Sequence, residues 1–156
     1  LSRAVKLRPQ TSPAILQGML KPDETFDLTL CNPPFNASLE EARAGTRRKW
    51  ANLKRPHSGR NFGGQGSELW TPGGEAAFAR RLISESTLIR KQCLWFTTLI
   101  SKSDNLHSIL KSLESVKPAD IQTINMSQGQ KKIRFVAWTF LDGKQREEWC
   151  RRRWSL

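Results

Sequence analysis

Asn32-Pro33-Pro34-Phe35 is the stretch of this chain whose residue types best suit chemistry. Two successive prolines fix φ and remove two N–H donors, so nearby backbone carbonyls are held rigidly with no local donor competing for them. An Asn side-chain oxygen beside such a carbonyl makes a pair of acceptors suited to an NH₂ group. Phe35 adds a flat apolar face on which a base can stack. Together these residues describe a site for a planar ring bearing an amino group. The other reading of the same residues is a strand-ending turn with Phe35 tucked into the core.

The elements that must position this tetrapeptide follow from the patterning around it. Residues 26–31 (Phe-Asp-Leu-Thr-Leu-Cys) are short, apolar and β-rich, and predict a buried parallel strand that stops at a functional loop. Ala4 to Leu7 predicts a short strand ahead of the breakers Pro9 and Pro13. From about residue 36 to 73 periodicity disappears, and between Asn36 and Arg60 seven basic residues stand against two acidic ones. So long a loop inside a compact domain is either functional or disordered.

Helical spacing returns over 75–89, with Phe78, Leu82 and Ile89 on one face behind Gly73-Gly74. Residues 92–99 read as a central strand. Asp104 is the expected N-cap of a second helix, whose Leu106, Ile109, Leu110 and Leu113 fall at i, i+3, i+4 and i+7, and Pro118 marks its end. Residues 121–126 and 132–140 predict two strands joined at Gln128-Gly129-Gln130, close enough for antiparallel pairing, and a basic, Trp-containing helix or tail follows from 143 to 156. Alternating strands and helices predict an α/β fold with a mostly parallel sheet that ends in an antiparallel hairpin.

The chain has 156 residues, with 26 Lys+Arg against 14 Asp+Glu, for a formal net charge of +12. That excess points to a polyanionic partner, because Lys and Arg gain affinity from phosphates by releasing condensed counterions; nucleic acid leads and a membrane surface comes second. An apolar content of 37% excludes a wholly disordered chain. No apolar run approaches the roughly 18 residues of a membrane span, and no secretory signal is evident, so a cytosolic location is expected. Cys31, Cys93 and Cys150 lie far apart without a C-x-x-C pair, which suggests neither a zinc site nor a disulfide framework. His57 and His107 have no ligand partners in register and read as surface residues. Six Trp and no Tyr are unusual; Trp50, Trp70, Trp149 and Trp154 lie in polar, basic stretches where an indole can stack on a base, though packing is the better reading of any one.

Asn-Pro-Pro-Phe after a strand resembles the N-P-P-[YF] signature of amino-group S-adenosylmethionine-dependent methyltransferases. The likeness extends to Ala42-Arg43-Ala44-Gly45, Asn61-Phe62-Gly63-Gly64-Gln65, Glu68-Leu69-Trp70, Gly73-Gly74-Glu75, Leu94-Trp95-Phe96-Thr97, Gln128-Gly129-Gln130 and residues 134–140 (Arg-Phe-Val-Ala-Trp-Thr-Phe). In combination these motifs are specific, although singly most are weak. From about Val5 onward the chain is similar to the bacterial family that methylates N6 of an adenine in 23S large-subunit ribosomal RNA, a family related to the eukaryotic methyltransferase-like enzymes of small nuclear RNA.

The resemblance implies a Rossmann-like class I methyltransferase fold, here incomplete. Family members carry the cofactor's glycine-rich turn and ribose-binding acid on strands that precede this region. No Asp/Glu-x-Gly-x-Gly pattern lies upstream of Asn32, and Gly63-Gly64-Gln65-Gly66 follows no strand. Residues 1–156 are therefore expected to be the C-terminal part of a single methyltransferase domain with a basic insertion at about 36–73, lacking the N-terminal cofactor-binding half and binding S-adenosylmethionine poorly alone.

By the same resemblance, the catalytic set is Asn32, Pro33, Pro34 and Phe35. Asn32 and the Pro33 carbonyl would accept from the adenine amino group while Phe35 stacks, and Cys31 and Asn32 would border the cofactor. Arg43, Arg47, Arg48, Lys49, Lys54, Arg55 and Arg60, with Trp50 and Phe62, would face ribosomal RNA, joined by Lys131 and Lys132 beside the hairpin turn. Gly73-Gly74-Glu75 would hold a phosphate or the neighbouring active-site loop, or serve as a plain helix entry. Neither a metal nor a membrane is implied. The rival readings are a methyltransferase of protein glutamine amides, which usually has Tyr at the fourth motif position, and a non-catalytic RNA-binding fragment.

Overall fold

The computed structural model describes residues 5–41, 44, 70–128 and 131–154. Four strands, β1 (Phe26–Leu28), β2 (Cys93–Ile100), β3 (Asp120–Gln128) and β4 (Lys131–Thr139), form one sheet in the order β1-β2-β4-β3. Helices α1 (Gly74–Ser86), α2 (Ser103–Val116) and α3 (Gly143–Arg153) complete the α/β arrangement. β1 runs parallel to β2, with Phe26 opposite Cys93 and Leu28 opposite Trp95. β4 pairs antiparallel with β2 and with β3, so of these three pairings only one is parallel, fewer than the strand–helix alternation predicts. The hairpin is the reason: β4 occupies the flank of β2 that a second crossover strand would otherwise take.

β2 is central, and Cys93, Leu94, Phe96, Thr97, Thr98 and Ile100 are all buried. Phe96 stacks on Trp138 at 5.7 Å and meets Phe140 edge-on at 5.9 Å. α1 contributes Ala79, Leu82 and Ile83 to this core, and α2 contributes Ile109 and Leu113. The Trp138 indole N–H donates to Ser86 Oγ at 3.0 Å, which satisfies a donor that would otherwise be buried unpaired.

Several expectations are corrected. Residues 5–7 form no strand; Val5 and Leu7 are exposed, and the segment is instead tied down at Arg8, which donates to the Met19 carbonyl and pairs with Glu24. Among the described residues β1 lies at an edge of the sheet, with Phe26, Leu28 and Leu30 exposed on one face, where a buried strand was expected. α1 stops at Ser86 and tightens into a 3₁₀ turn over Thr87–Ile89, and its buried face runs through Glu75, Ala79, Leu82, Ile83 and Ser86. Asp104 lies inside the first turn of α2, whose N-cap is Lys102 with no capping side chain of its own. Trp149, by contrast, packs as the sequence reading preferred: it is buried, and its indole N–H donates to Asp27 Oδ1.

Candidate active site at the carboxyl end of the first strand

The ladder between β1 and β2 continues past Leu28. Thr29 N–H donates to the Trp95 carbonyl at 3.0 Å, and Leu99 N–H donates to the Cys31 carbonyl at 2.9 Å. Extended backbone therefore delivers Asn32 to the edge of the sheet where β2 also ends. Pro33 and Pro34 are buried, whereas Asn32 is exposed and Phe35 retains 37% of its surface in solvent. Two buried prolines thus anchor the turn while the amide and the ring stay accessible. A turn that tucks Phe35 into the core is not what forms.

Just beyond, Asn36 makes an isolated parallel bridge to Trp70, and Thr71 N–H donates to the Asn36 carbonyl at 3.0 Å. The long basic segment therefore starts and ends beside the Asn-Pro-Pro-Phe turn. Ser38 Oγ accepts from Glu41 N–H at 3.1 Å, and Glu41 Oε2 accepts from Ala37 N–H at 2.7 Å. This is a capping box that reaches one residue further back than usual, and it starts a helical turn at residues 39–41 where no periodicity was expected. Its sequence signal, Ser38-Leu39-Glu40-Glu41, was present. The Ala37 N–H and the Lys102 ammonium, 3.1 Å away, hold the Glu41 carboxyl below its ordinary pKa.

The Gly73-Gly74-Glu75 entry to α1 packs against that same turn. Gly73 and Gly74 adopt φ of 77° and 63°, and a Cβ on Gly74 would lie 3.4 Å from the Ala37 nitrogen. Glu75, only 1% exposed, turns its carboxylate to the end of β2 and the start of α2. Oε1 accepts from Ser101 N–H at 2.6 Å and Ser101 Oγ at 2.5 Å; Oε2 accepts from Lys102 N–H at 3.2 Å and Asn105 Nδ2 at 2.7 Å. The tripeptide is the entry to α1 and also touches the neighbouring loop at Ala37. The anchoring role of the Glu75 carboxylate was not foreseen from the sequence.

Cys31 is half-buried, and burial raises its thiol pKa; for the fully buried Cys93 burial pushes it to about 12. Arg43, Arg47, Arg48, Lys49, Lys54, Arg55, Arg60, Trp50, Phe62 and His57 lie outside the described residues. Lys131 and Lys132 belong to β4. The register between β2 and β4 ends with Ile100 opposite Arg134, whereas β3 and β4 pair on to Gln128 opposite Lys131. The hairpin thus projects about 10 Å beyond β2 at the edge that carries Asn32, at roughly 3.4 Å per residue. His107 is exposed, as read from the sequence; Trp154 is exposed where packing was the better reading, and Trp70 is half-buried. Among the described residues no group of three or more His, Cys, Asp or Glu is placed to hold a metal, and no helix is long and apolar enough to cross a membrane.

Ribosomal RNA large subunit methyltransferase F of Pseudomonas paraeruginosa is 51% identical over 158 residues, covering 97% of this chain and 47% of that protein. The protein of the same name from Pectobacterium carotovorum is 52% identical over 157 residues, covering 98% of this chain and 50% of its own length. The chain spans about half the length of these curated relatives. Among solved structures, the hMettl16 catalytic domain in complex with MAT2A 3′UTR hairpin 1 matches with a TM-score of 0.70 and 27% identity, over 88% of this chain and 47% of that one. The mixed sheet and its helices are accordingly part of a Rossmann-like methyltransferase fold. A family described as RNA methyltransferase matches residues 1–142, nearly the whole chain, and the chain belongs to that family.

Proposed function

We propose that the intact protein containing this chain methylates the N6 amino group of an adenine in large-subunit ribosomal RNA, in the cytoplasm, using S-adenosylmethionine. The observation that carries this reading is the pairing of exposed Asn32 and partly exposed Phe35 with two buried prolines at the carboxyl end of β1. That edge is where open α/β sheets place their ligands. The name of the bacterial relatives supports ribosomal RNA as the substrate, and hMettl16 was solved with a 3′UTR hairpin.

In this mechanism Asn32 Oδ1 and the Pro33 carbonyl accept the two amino hydrogens, which turns the nitrogen lone pair out of the ring plane. Phe35 stacks on the base. These residues act by positioning, with no side-chain nucleophile, and the proton released from N6 passes to solvent. When bound, S-adenosylmethionine supplies a sulfonium-activated methyl group. Cys31 and Asn32, at the carboxyl end of β1, would border that cofactor. A human METTL16 structure containing SAH supports the choice of cofactor. Residues 1–156 form the C-terminal part of a single methyltransferase domain, with the glycine-rich turn in the part of the relatives' length that this chain does not span. The RNA-facing residues are Arg43, Arg47, Arg48, Lys49, Arg60 and Phe62, tethered at both ends beside Asn32, together with Lys131 and Lys132 on the projecting hairpin.

Incubating the full-length protein with labelled S-adenosylmethionine and either large-subunit RNA or a protein release factor tests this assignment. Label is expected in RNA as N6-methyladenine; label in a glutamine amide would replace the reading with the protein-methylating one. In the same assay Asn32→Ala should lower kcat about 100-fold or more and leave RNA affinity largely unchanged. Equal loss of both would remove Asn32 from the catalytic role.

A further inference from the structure

We infer that Glu75 is a positioning residue that sets the Asn-Pro-Pro-Phe turn through Lys102 and Glu41. This rests on the reading of Asn32 to Phe35 as the methylation site. A carboxylate as buried as that of Glu75 is costly unless donors surround it. Here four donors do, from Ser101, Lys102 and Asn105, and the amino-terminal end of α2 adds a favourable dipole. Among the described residues no cation pairs with it; the ammonium of Lys102 turns away to Glu41 Oε1 at 3.1 Å. The other oxygen of Glu41 accepts from Ala37 N–H, two residues past Phe35.

The contacts close a circuit. Gly74 lies against Ala37, Ala37 is held by Glu41, Glu41 by Lys102, and the Lys102 backbone by Glu75, which follows Gly74 in the chain. Had α1 needed only to pack on the end of β2, an apolar side chain would have served at lower desolvation cost. What the carboxylate adds is direction. It fixes the backbone at Ser101 and Lys102, so that the lysine side chain leaves at the angle that reaches Glu41. Catalysis by positioning is sensitive to such constraints, since a shift of about 1 Å can cost on the order of 100-fold in rate.

The test uses the full-length enzyme with Glu75→Gln, Lys102→Met, Glu41→Gln and the Lys102→Met/Glu41→Gln double variant. Glu75→Gln places an amide NH₂ among groups that are themselves donors, and should lower kcat about tenfold or more while the Kd for RNA stays within about twofold. Lys102 and Glu41 are 52% and 42% exposed, so breaking their pair should leave the melting temperature nearly unchanged. Each single variant should nevertheless lower kcat several-fold, and the double variant should be no worse than the poorer single, as expected for two members of one linkage.

If Glu75→Gln does not fold, Lys102→Met and Glu41→Gln decide the question. Unchanged kcat in those two variants overturns the inference, and so does a rise in RNA Kd at constant kcat, which would make Lys102 an RNA contact. Asn32→Ala, assayed in parallel, separates the two levels. An active Asn32→Ala enzyme defeats the site assignment itself, whereas an inactive one beside fully active Glu75 and Lys102 variants defeats only the positioning role.

Discussion

The indole N–H of Trp149 donates to Asp27 Oδ1 at 2.7 Å, joining the last helix to the first strand across 122 positions of sequence. Arg153 Nε reaches the same oxygen at 2.6 Å, and its guanidinium lies 5.6 Å from the Trp149 ring. Burial works against the charged form of Asp27, but the hydrogen bonds from Arg153 and Trp149 outweigh it and leave the carboxyl pKa below its ordinary 3.8. A carboxyl with a lowered folded-state pKa stabilises the fold above its unfolded value and loses that contribution as the pH falls below it.

Trp149→Phe should keep most of the packing of this residue and remove only the hydrogen bond. The expected cost is about 1 kcal/mol, or a fall in melting temperature of about 2–4 °C, measured in the full-length protein. The difference from the parent should shrink below pH 3.8, where Asp27 is protonated in the unfolded chain. A difference that stays constant down to pH 2 would assign the effect to packing alone.

The projecting hairpin places Lys131 and Lys132 past the end of β2, and the ends of the insertion carrying Arg47 and Arg48 meet at the Asn36–Trp70 bridge. If these residues meet phosphates, each contact removed should reduce the slope of log K against log salt by about 0.7–0.9. Lys131→Ala/Lys132→Ala and charge reversal at Arg47 and Arg48 should therefore weaken RNA binding and flatten its salt dependence, with kcat at saturating RNA little altered. An unaltered slope would leave both segments as solvated surface.

Short-range patterns carried much of the architecture. Asn32-Pro33-Pro34 reveals the end of β1 because proline cannot donate to a ladder, and the two positions between Gln128 and Lys131 leave the strands around them no option but a hairpin. The core face of α2 is legible from spacing, with Ile109 and Leu113 buried and Leu106 and Leu110 packed against them. Glu75 could not be read in the same way. Its donors lie 26, 27 and 30 positions further on, and nothing local distinguishes it from an ordinary first-turn glutamate. Asp104 misleads locally: the helix already starts at Ser103, so Asp104 falls in its first turn and the N-cap, Lys102, has no capping side chain.

The two glycines before Glu75 should differ in what they tolerate. Both hold left-handed φ, which costs an L-residue about 1–2 kcal/mol. At Gly74 an added Cβ would make ordinary contact, 3.4 Å from the Ala37 nitrogen and 3.5 Å from its Cβ, so Gly74→Ala should cost little beyond the backbone strain. At Gly73 the added Cβ would come within 2.6 Å of the Ala77 Cβ, an overlap that forces the first turn of α1 to move. Gly73→Ala should therefore be the more destabilising, by about 1–3 kcal/mol over Gly74→Ala, as in other overpacked sites. Because that turn carries Glu75 and abuts Ala37, displacing it should also lower kcat more than Gly74→Ala does. Thermal melts and single-turnover methylation on the two full-length variants give the order directly, and equal melting temperatures would show that α1 enters this turn with more freedom than its contacts indicate.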